Sequence, residues 1–198
     1  MLDSTRHGEK MSNSIPIPEN KYKIIYCDCP WSYADKQKNR PGIQYPTMTI
    51  KELSELNVKQ ISDKNSVLCM WCTMPQLKEG LEVMEAWGFE YKTTLFTWVK
   101  TYEKSGKHFW GMGRYTRSNP EIILLGKRGK GLPVKDHGIL SIQEHHVMKH
   151  SEKPALFRNL IVQLFDADQI PKIELFCRHN LTNWDTWGNQ IGLLGQSV

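Results

Sequence analysis

Residues 23–33, KIIYCDCPWSY, place a carboxylate, a rigid turn and a large aromatic ring within four positions directly after an apolar segment. The four residues are Asp28, Cys29, Pro30 and Trp31. Such a strand end can bind a planar amino-heterocycle. Asp28 and a backbone carbonyl held by the Pro30 turn would accept the two hydrogens of an exocyclic amine, and Trp31 would stack on the ring. A turn whose tryptophan packs on a helix explains the same residues, so both interpretations stay open.

Two acceptors on one amine suit a particular reaction. The N6 amine of adenine is a poor nucleophile because its lone pair is delocalised into the ring. Acceptors on both of its hydrogens favour a geometry in which the nitrogen can attack. A target adenine must arrive single-stranded or leave its duplex, since a stacked base cannot reach another reactant.

The composition indicates one globular domain. The chain has 198 residues, 39% hydrophobic and 24% charged, which is typical of a folded protein with a sizeable core. Residues 1–20 are polar and carry two prolines, so they read as a tail before a domain at 21–198. No apolar run approaches the ~20 residues of a membrane span, and the N-terminus does not resemble a secretory signal. We therefore expect a cytoplasmic protein without membrane contact.

The charge distribution is compatible with a polyanionic partner such as nucleic acid. The formal net charge is +5, and the excess is concentrated in segments that look like loops. These basic residues are Lys36, Lys38, Arg40, Lys100, Lys104, Lys107, Arg114, Arg117, Lys127, Arg128 and Lys130.

The cysteines predict buried reduced thiols instead of a disulfide framework. They are five in number, and most lie in apolar, strand-like surroundings. Cys69 and Cys72 have C-x-x-C spacing, which leaves a zinc or redox role open. No second Cys/His pair with ligand spacing accompanies them, and strand alternation explains the spacing, so no metal is predicted.

Apolar β-rich runs alternate with helical patterns, which predicts a mostly parallel α/β sheet covered on both faces. The predicted strands are Lys23 to Cys27, Ser66 to Cys72, Lys92 to Val99, Glu121 to Gly126 and Lys172 to Cys177. The predicted helices are a short one capped by Thr49, one at Pro75 to Trp87 that ends at Gly88, and one at Lys153 to Phe165.

Two long irregular segments, Thr101 to Asn119 and Gly129 to Lys149, interrupt this pattern and predict functional loops. Ligands of such sheets bind outside the carboxyl ends of the strands, where Asp28 to Trp31 would lie.

The motifs taken together resemble the MT-A70 family of adenine N6-methyltransferases, the messenger-RNA adenosine methylase type with bacterial and phage members. The family signature Asp-Pro-Pro-Trp stands here as Asp28 to Trp31, with Cys29 replacing the first proline. The resemblance covers residues 22–192. It also includes Tyr45 to Met48, Glu52 and Leu53, Trp71, Phe96 to Lys100, Arg117 to Glu121, Leu124 to Gly129, His150 to Pro154, Glu174 to Arg178, Trp184 and Trp187 to Gln190.

The resemblance implies a Rossmann-like methyltransferase fold, permuted so that the catalytic strand precedes the cofactor strand, and S-adenosylmethionine as cofactor. This cofactor carries no phosphates, so the missing G-x-G-x-x-G fingerprint is no objection. The implied catalytic residues are Asp28, Cys29, Pro30 and Trp31. The implied cofactor-binding residues are Asp28, Lys153, Phe176, Arg178, His179, Asn180, Asn189 and Gln190. The implied substrate-binding residues are Tyr45, Arg117, Asn119 and Glu121.

Plainer interpretations of three of these residues stay open. Without the resemblance, Lys153 reads as a solvated lysine at a helix terminus and Phe176 reads as a core residue. Glu121 reads as an acid that caps an element or faces solvent.

The predicted activity is methylation of the adenine N6 amine in nucleic acid, with DNA preferred because a compact chain resembles the bacterial and phage members. Two alternatives remain: an RNA adenine methyltransferase, and a catalytically inactive homologue that binds nucleic acid. Target recognition must come from the loops or from another subunit, so a homodimer or heterodimer is left open.

Overall fold

The computed structural model describes residues 17–32, 47–113, 115–148 and 152–188. Seven strands of the described residues form one sheet: β1 (Tyr22–Cys27), β2 (Ser62–Cys72), β3 (Glu90–Thr101), β4 (Glu121–Arg128), β5 (Ile142–His146), β6 (Lys172–Leu175) and β7 (Asp185–Trp187). The described helices are α1 (Ile50–Ser54), α2 (Val58–Ile61), α3 (Leu77–Ala86) and α4 (Ala155–Phe165), with a 3-10 turn at Met74–Gln76. The predicted tail lies mostly outside these ranges, and its boundary with the domain stays a prediction.

The strand order across the sheet is β5-β3-β4-β2-β1-β6-β7. Strand β4 runs antiparallel to β2 and β3, whereas the other neighbouring pairs are parallel. The carboxyl ends of β1, β3 and β6 therefore lie at the same end of the sheet, together with the first residue of β4. This end, at which the parallel strands finish, is called the carboxyl edge, or simply the edge, of the sheet below. Strand β1 precedes β6 in the chain, as the permuted order requires. This arrangement confirms the predicted mostly parallel, Rossmann-like α/β fold.

The alternation of side chains along the central strands builds a core on each face of the sheet. Ile25 and Cys27 of β1 belong to the first core, which α1 and α3 cover, whereas Ile24 and Tyr26 belong to the second. Phe157 of α4 packs in the second core and is fully buried. A two-residue side-chain period thus explains why both faces are apolar and why the sheet is doubly covered.

All five cysteines are buried and free, as predicted. The C-x-x-C pair follows the alternation of β2, because Cys69 belongs to one core and Cys72 to the other. Burial raises the pKa of the Cys72 thiol to about 12, so the thiolate required for redox chemistry or metal binding is disfavoured there. Among the described residues, no cluster of His, Cys, Asp and Glu could hold a metal ion.

The predicted capping signals form as the sequence indicates. The Thr49 hydroxyl accepts a hydrogen bond from the Glu52 N–H at 3.2 Å, and the Glu52 carboxylate accepts one from the Thr49 N–H at 2.9 Å. Gly88 follows α3 with a φ of +81°, the left-handed conformation that a helix-ending glycine provides. The described residues contain no helix long and apolar enough to cross a membrane.

The structure corrects several predicted boundaries. Helix α4 begins at Ala155, so Lys153 lies before the helix and Pro154 is its N-cap instead of part of its first turn. Strand β6 ends at Leu175, two residues early, because Phe176 adopts a φ of +62° that turns the chain. Strands β5 and β7 and helix α2 were not predicted, and β5 lies within the segment predicted as a loop.

Candidate active site

The signature segment leaves the carboxyl end of β1 at the shared sheet edge. Asp28 is half-buried, and Cys29 is buried. The Trp31 N–H donates to the Cys29 carbonyl at 2.9 Å, and the Met48 N–H donates to the Pro30 carbonyl at 2.8 Å. These bonds fix the backbone on both sides of Pro30, so the Asp28 carboxylate projects from a defined turn.

The Trp31 side chain lies in the first core and not in the open. Only 6% of it is exposed, and it belongs to the same cluster as Cys29 and Met48. In the described residues the packing interpretation of Trp31 therefore has direct structural support, whereas stacking on a substrate ring stays a prediction.

A row of side chains with alternating charge crosses this edge; its members are Asp28, Lys153, Glu121 and Lys100, and it is called the charge chain below. The Lys153 ammonium lies 2.9 Å from the Asp28 carboxylate and 3.3 Å from the Glu121 carboxylate. Glu121 also forms a short ion pair with Lys100 near the end of β3. All but Asp28 are less than one-fifth exposed, whereas 31% of the Asp28 side chain reaches solvent. The charge chain thus ends at the Asp28 carboxylate, which is the most accessible of the four groups to a ligand.

The charge chain sets the protonation of its members. Burial raises the pKa of Asp28 above its ordinary value of 3.8, although the Lys153 ammonium opposes the shift. Burial would also raise the pKa of Glu121, but Lys153 and Lys100 outweigh it and hold that pKa below its ordinary value. The same two carboxylates overcome the effect of burial on Lys153 and raise its pKa. Lys153 and Glu121 therefore stay charged at neutral pH.

The ring of Trp71 contacts the Lys153 ammonium. The Lys153 ammonium lies 5.4 Å from the ring centroid of Trp71 in β2, a distance suited to a cation–π interaction. The Trp71 indole N–H in turn donates to the Tyr26 hydroxyl of β1. Both aromatic residues are fully buried, so they hold Lys153 in one position at the sheet edge.

The predicted cofactor residues after β6 are partly assembled. Phe176 is half-buried and meets Trp187 edge to face, with ring centroids 5.5 Å apart. Arg178 is half-buried and close enough to Asp28 to lower the pKa of that carboxyl. His179 and Asn180 are exposed. The structure therefore brings Phe176 and Arg178 to the carboxyl end of β6, which lies beside the end of β1 that leads into the signature.

Gly188 holds the end of β7 against the turn after β6. A Cβ atom at this position would lie 2.3 Å from the Cys177 carbonyl oxygen, so only glycine permits the approach. The next two predicted cofactor residues, Asn189 and Gln190, lie outside the described residues, as does the predicted substrate residue Tyr45.

The remaining substrate-side residues differ in their surroundings. Arg117 is exposed. The Asn119 side-chain amide donates to the Lys100 carbonyl at 2.8 Å and to the Phe109 carbonyl at 2.7 Å. Asn119 thus uses both amide hydrogens to fix the loop that follows β3. Glu121 belongs to the charge chain beside Asp28.

Three residues at this edge were not predicted as site residues. Lys100 was considered as a loop cation and as the end of a resembling strand, and Trp71 only as part of a resembling strand. Arg158 donates to the buried Glu174 carboxylate at 3.1 Å, directly before the cofactor-side turn. The available sequence signal was a charged residue within or beside an apolar run, which does not by itself identify its partner.

A doubly covered, mostly parallel sheet with charged residues at its carboxyl edge places the protein in the Rossmann-like α/β class. The chain belongs to the MT-A70 family, whose model matches residues 22–190. The match confirms the family and the methyltransferase class that the signature predicted.

Two curated relatives extend the comparison. The type II methyltransferase M.MunI of a Mycoplasma species is 35% identical over 195 residues, which cover 88% of this chain and 80% of that protein. The uncharacterised protein C22G7.07c of Schizosaccharomyces pombe is 25% identical over 201 residues, covering 96% of this chain and 46% of that protein.

Proposed function

We propose that the protein transfers a methyl group from S-adenosylmethionine to the N6 amine of adenine in DNA. The observation that carries this proposal is the Asp28 carboxylate, which stands partly exposed at the carboxyl end of β1 and is held by Lys153. The family signature supplies the same carboxylate at the same strand end. A fixed acceptor here can orient an amine, whereas a freely rotating side chain could not.

The charge state of Asp28 decides what it can do. An ionised carboxylate offers only acceptors, which suits the two hydrogens of an amine or an ammonium group. The Lys153 ammonium lowers the pKa of Asp28 against the effect of burial and so favours this ionised, accepting form. The Cys29 carbonyl already accepts the Trp31 N–H at 2.9 Å. Its second lone pair can accept from the target amine.

The residues at the edge fit the proposed cofactor in kind. Lys153 and Arg178 provide positive charge for a methionine carboxylate, Asp28 provides negative charge for its ammonium, and the half-buried Phe176 ring provides an apolar wall for adenine. When bound, S-adenosylmethionine supplies an electrophilic methyl group on a sulfonium. His179, Asn180, Asn189 and Gln190 are proposed to complete the site.

DNA is the proposed substrate for two reasons. The relative M.MunI is named a type II methyltransferase of a Mycoplasma species, and the compact chain resembles the bacterial and phage members of the family. The net charge of +5 also favours a polyanionic partner. Tyr45, Arg117, Asn119 and Glu121 are the proposed substrate-side residues. A second subunit stays a prediction.

The test measures transfer of a labelled methyl group to single-stranded DNA, duplex DNA and RNA of matched sequence, with product nucleosides separated by mass. N6-methyladenine in a DNA pool is the expected result. Methylation confined to RNA would overturn the choice of DNA, and another methylated base would overturn N6 specificity. Thermal stabilisation by the cofactor is measured in parallel, and its absence together with no transfer would favour the inactive binding homologue.

A further inference from the structure

Residues 102–113 and 115–118 belong to the loop between β3 and β4, called the 102–118 loop below, which stands beside the proposed active site. Strand β3 ends at Thr101 and β4 begins at Glu121, and these strand ends lie at the edge that carries Asp28. The loop therefore starts next to Lys100 and finishes next to Glu121, two members of the charge chain. Its position depends on the same residues that position the Asp28 carboxylate.

The base of the loop is held by a short ladder of backbone hydrogen bonds. The Tyr102 N–H donates to the Lys107 carbonyl at 2.8 Å, and the Phe109 N–H donates to the Lys100 carbonyl at 2.8 Å. The rings of Tyr102 and Phe109 pack with centroids 5.3 Å apart. Together with the Asn119 amide bonds, these contacts give the loop a fixed root on the sheet.

The outer half of the loop also folds back on itself. A Cβ atom at Gly111 would lie 2.0 Å from the Ser118 carbonyl oxygen, and one at Gly113 would lie 2.0 Å from the Thr116 carbonyl oxygen. Only glycine permits backbone segments to approach this closely. The two glycines thus allow the returning chain to lie against the outgoing chain.

Three large apolar side chains of this loop point into solvent. Trp110 is 69% exposed, Met112 is 90% exposed and Tyr115 is 94% exposed. They contribute nothing to either core, although aromatic and apolar side chains of this size are normally buried. An exposed group of this kind marks an interaction surface.

The charges around the three side chains select the kind of partner. Lys104, Lys107 and Arg117 are exposed in the same loop, and Glu103 is the one acid between residues 102 and 118 in the sequence. Protein interfaces are depleted in lysine, whereas single-stranded nucleic acids bind where aromatic rings alternate with cations. The complementary partner is therefore a nucleic acid with accessible bases.

We propose that the 102–118 loop is a stacking element, in which Trp110 and Tyr115 pack on the bases that flank the target adenine while the lysines contact phosphates. The proposal rests on the proposed function, since it assigns the loop to the substrate of the same site. Stacking on the flanking bases would compensate for the contacts that a target adenine loses when it leaves its neighbours.

The test compares the wild type with Trp110→Ala, Tyr115→Ala and the double variant. Tyr91→Ala is the matched control, because Tyr91 is an exposed aromatic residue near the start of β3, at the opposite sheet edge. The probes are a labelled mixed-sequence single strand of DNA and an abasic strand of the same length and charge. Binding to each strand is measured by fluorescence anisotropy over a range of salt concentrations.

The wild type should bind the strand with bases more tightly than the abasic strand. Each loop substitution should weaken binding to the strand with bases by about 5- to 150-fold and leave binding to the abasic strand unchanged. The dependence on salt should not change in these variants, whereas Lys104→Gln should reduce the slope by about one phosphate contact. Equal binding by Tyr91→Ala and both loop variants would overturn the proposal.

Two further measurements separate this proposal from the function on which it depends. If the wild type transfers methyl groups and the loop variants do so equally well at limiting DNA, the stacking proposal is wrong and the function stands. If the wild type discriminates bases through the loop but transfers no methyl group, the loop assignment stands and the methyltransferase proposal fails. If the loop variants differ from the wild type in mass by light scattering but bind DNA equally well, the loop contacts a second protein molecule and the stacking proposal is wrong.

Discussion

The Lys153 ammonium lies 2.9 Å from the Asp28 carboxylate, although 125 residues separate the two in the chain. The same ammonium reaches Glu121 at the start of β4 at 3.3 Å. One cation thus joins the ends of two strands that lie on either side of β2 in the sheet. The position of the proposed amine acceptor is therefore determined by a buried lysine, and the behaviour of this lysine can be tested directly.

Replacing Lys153 by methionine should destabilise the fold and slow methyl transfer. The substitution leaves the Asp28 and Glu121 carboxylates close together without the cation between them. Removing one partner of a buried ion pair costs about 3–5 kcal/mol, and the partial exposure of Asp28 favours the lower end. Denaturant unfolding and transfer of a labelled methyl group to DNA measure the two effects. Lys153→Arg should recover more of the unfolding free energy than of the transfer rate. Equal losses of stability in Lys153→Met and Lys153→Arg would contradict a role for the positive charge.

Glu121 should make the stability of the protein sensitive to acid. Its pKa is lowered in the folded state, so the unfolded chain takes up a proton at a higher pH than the folded chain does. The stabilisation is therefore present above the ordinary pKa of 4.5 and is lost as the pH falls through the lowered folded value. Glu121→Gln should cost about 1.5–3 kcal/mol at neutral pH and should lose less of its stability on acidification.

The acid dependence is measured by urea unfolding at neutral pH and at several values below 4.5. The matched control is Glu85→Gln, which removes an exposed carboxylate from α3. Parallel pH dependences for the wild type and Glu121→Gln would show that Glu121 does not carry the predicted coupling.

The sequence predicted the central sheet because its signals are local. The five strands that were predicted alternate or run apolar over several residues, and the Thr49 cap and Gly88 act within a single turn. Strand β7 has three residues and β5 reads Ile-Gln-Glu-His-His, so neither offers an apolar period. Strand β5 pairs in parallel with β3 and β7 pairs in parallel with β6. Parallel pairing lacks the tight turn by which a hairpin is recognised in a sequence.

The charge chain could not be predicted for the same physical reason. Lys100 and Glu121 become neighbours only because β4 runs antiparallel to β3 and returns to the edge where β3 ends. A parallel β4 would have placed Glu121 at the opposite edge. Family resemblance identified Asp28, Lys153 and Glu121 one at a time, and the strand direction joined them.

Trp31 should contribute more to stability than to substrate binding. Its ring is 6% exposed within the first core, so Trp31→Ala removes a buried ring and should cost about 3–5 kcal/mol. Trp31→Phe keeps an aromatic face and should retain most of the stability. Unfolding free energies and the KM for DNA are measured for both variants. A loss of DNA affinity in Trp31→Ala at unchanged unfolding free energy, recovered in Trp31→Phe, would instead support the stacking role predicted from the signature.

The pH dependence of methyl transfer should report the ionisation of Asp28. Only the ionised carboxylate accepts hydrogen bonds on both oxygens, so the rate should fall as the pH drops through the folded pKa of Asp28, which lies above 3.8. Asp28→Asn keeps the size of the side chain but donates where the carboxylate accepts. A loss of about 10²–10³-fold in kcat is expected, as for other oriented hydrogen-bonding groups in active sites.

The neighbours of Asp28 should move this acid limb in opposite directions. Lys153 lowers the pKa of Asp28, so Lys153→Met should shift the limb to higher pH. Glu121 raises the same pKa, so Glu121→Gln should shift the limb to lower pH. The measurement is kcat against pH for the three proteins, limited to the range in which circular dichroism shows each to be folded. Shifts in the same direction, or a limb that persists in Asp28→Asn, would mean that another group controls the rate.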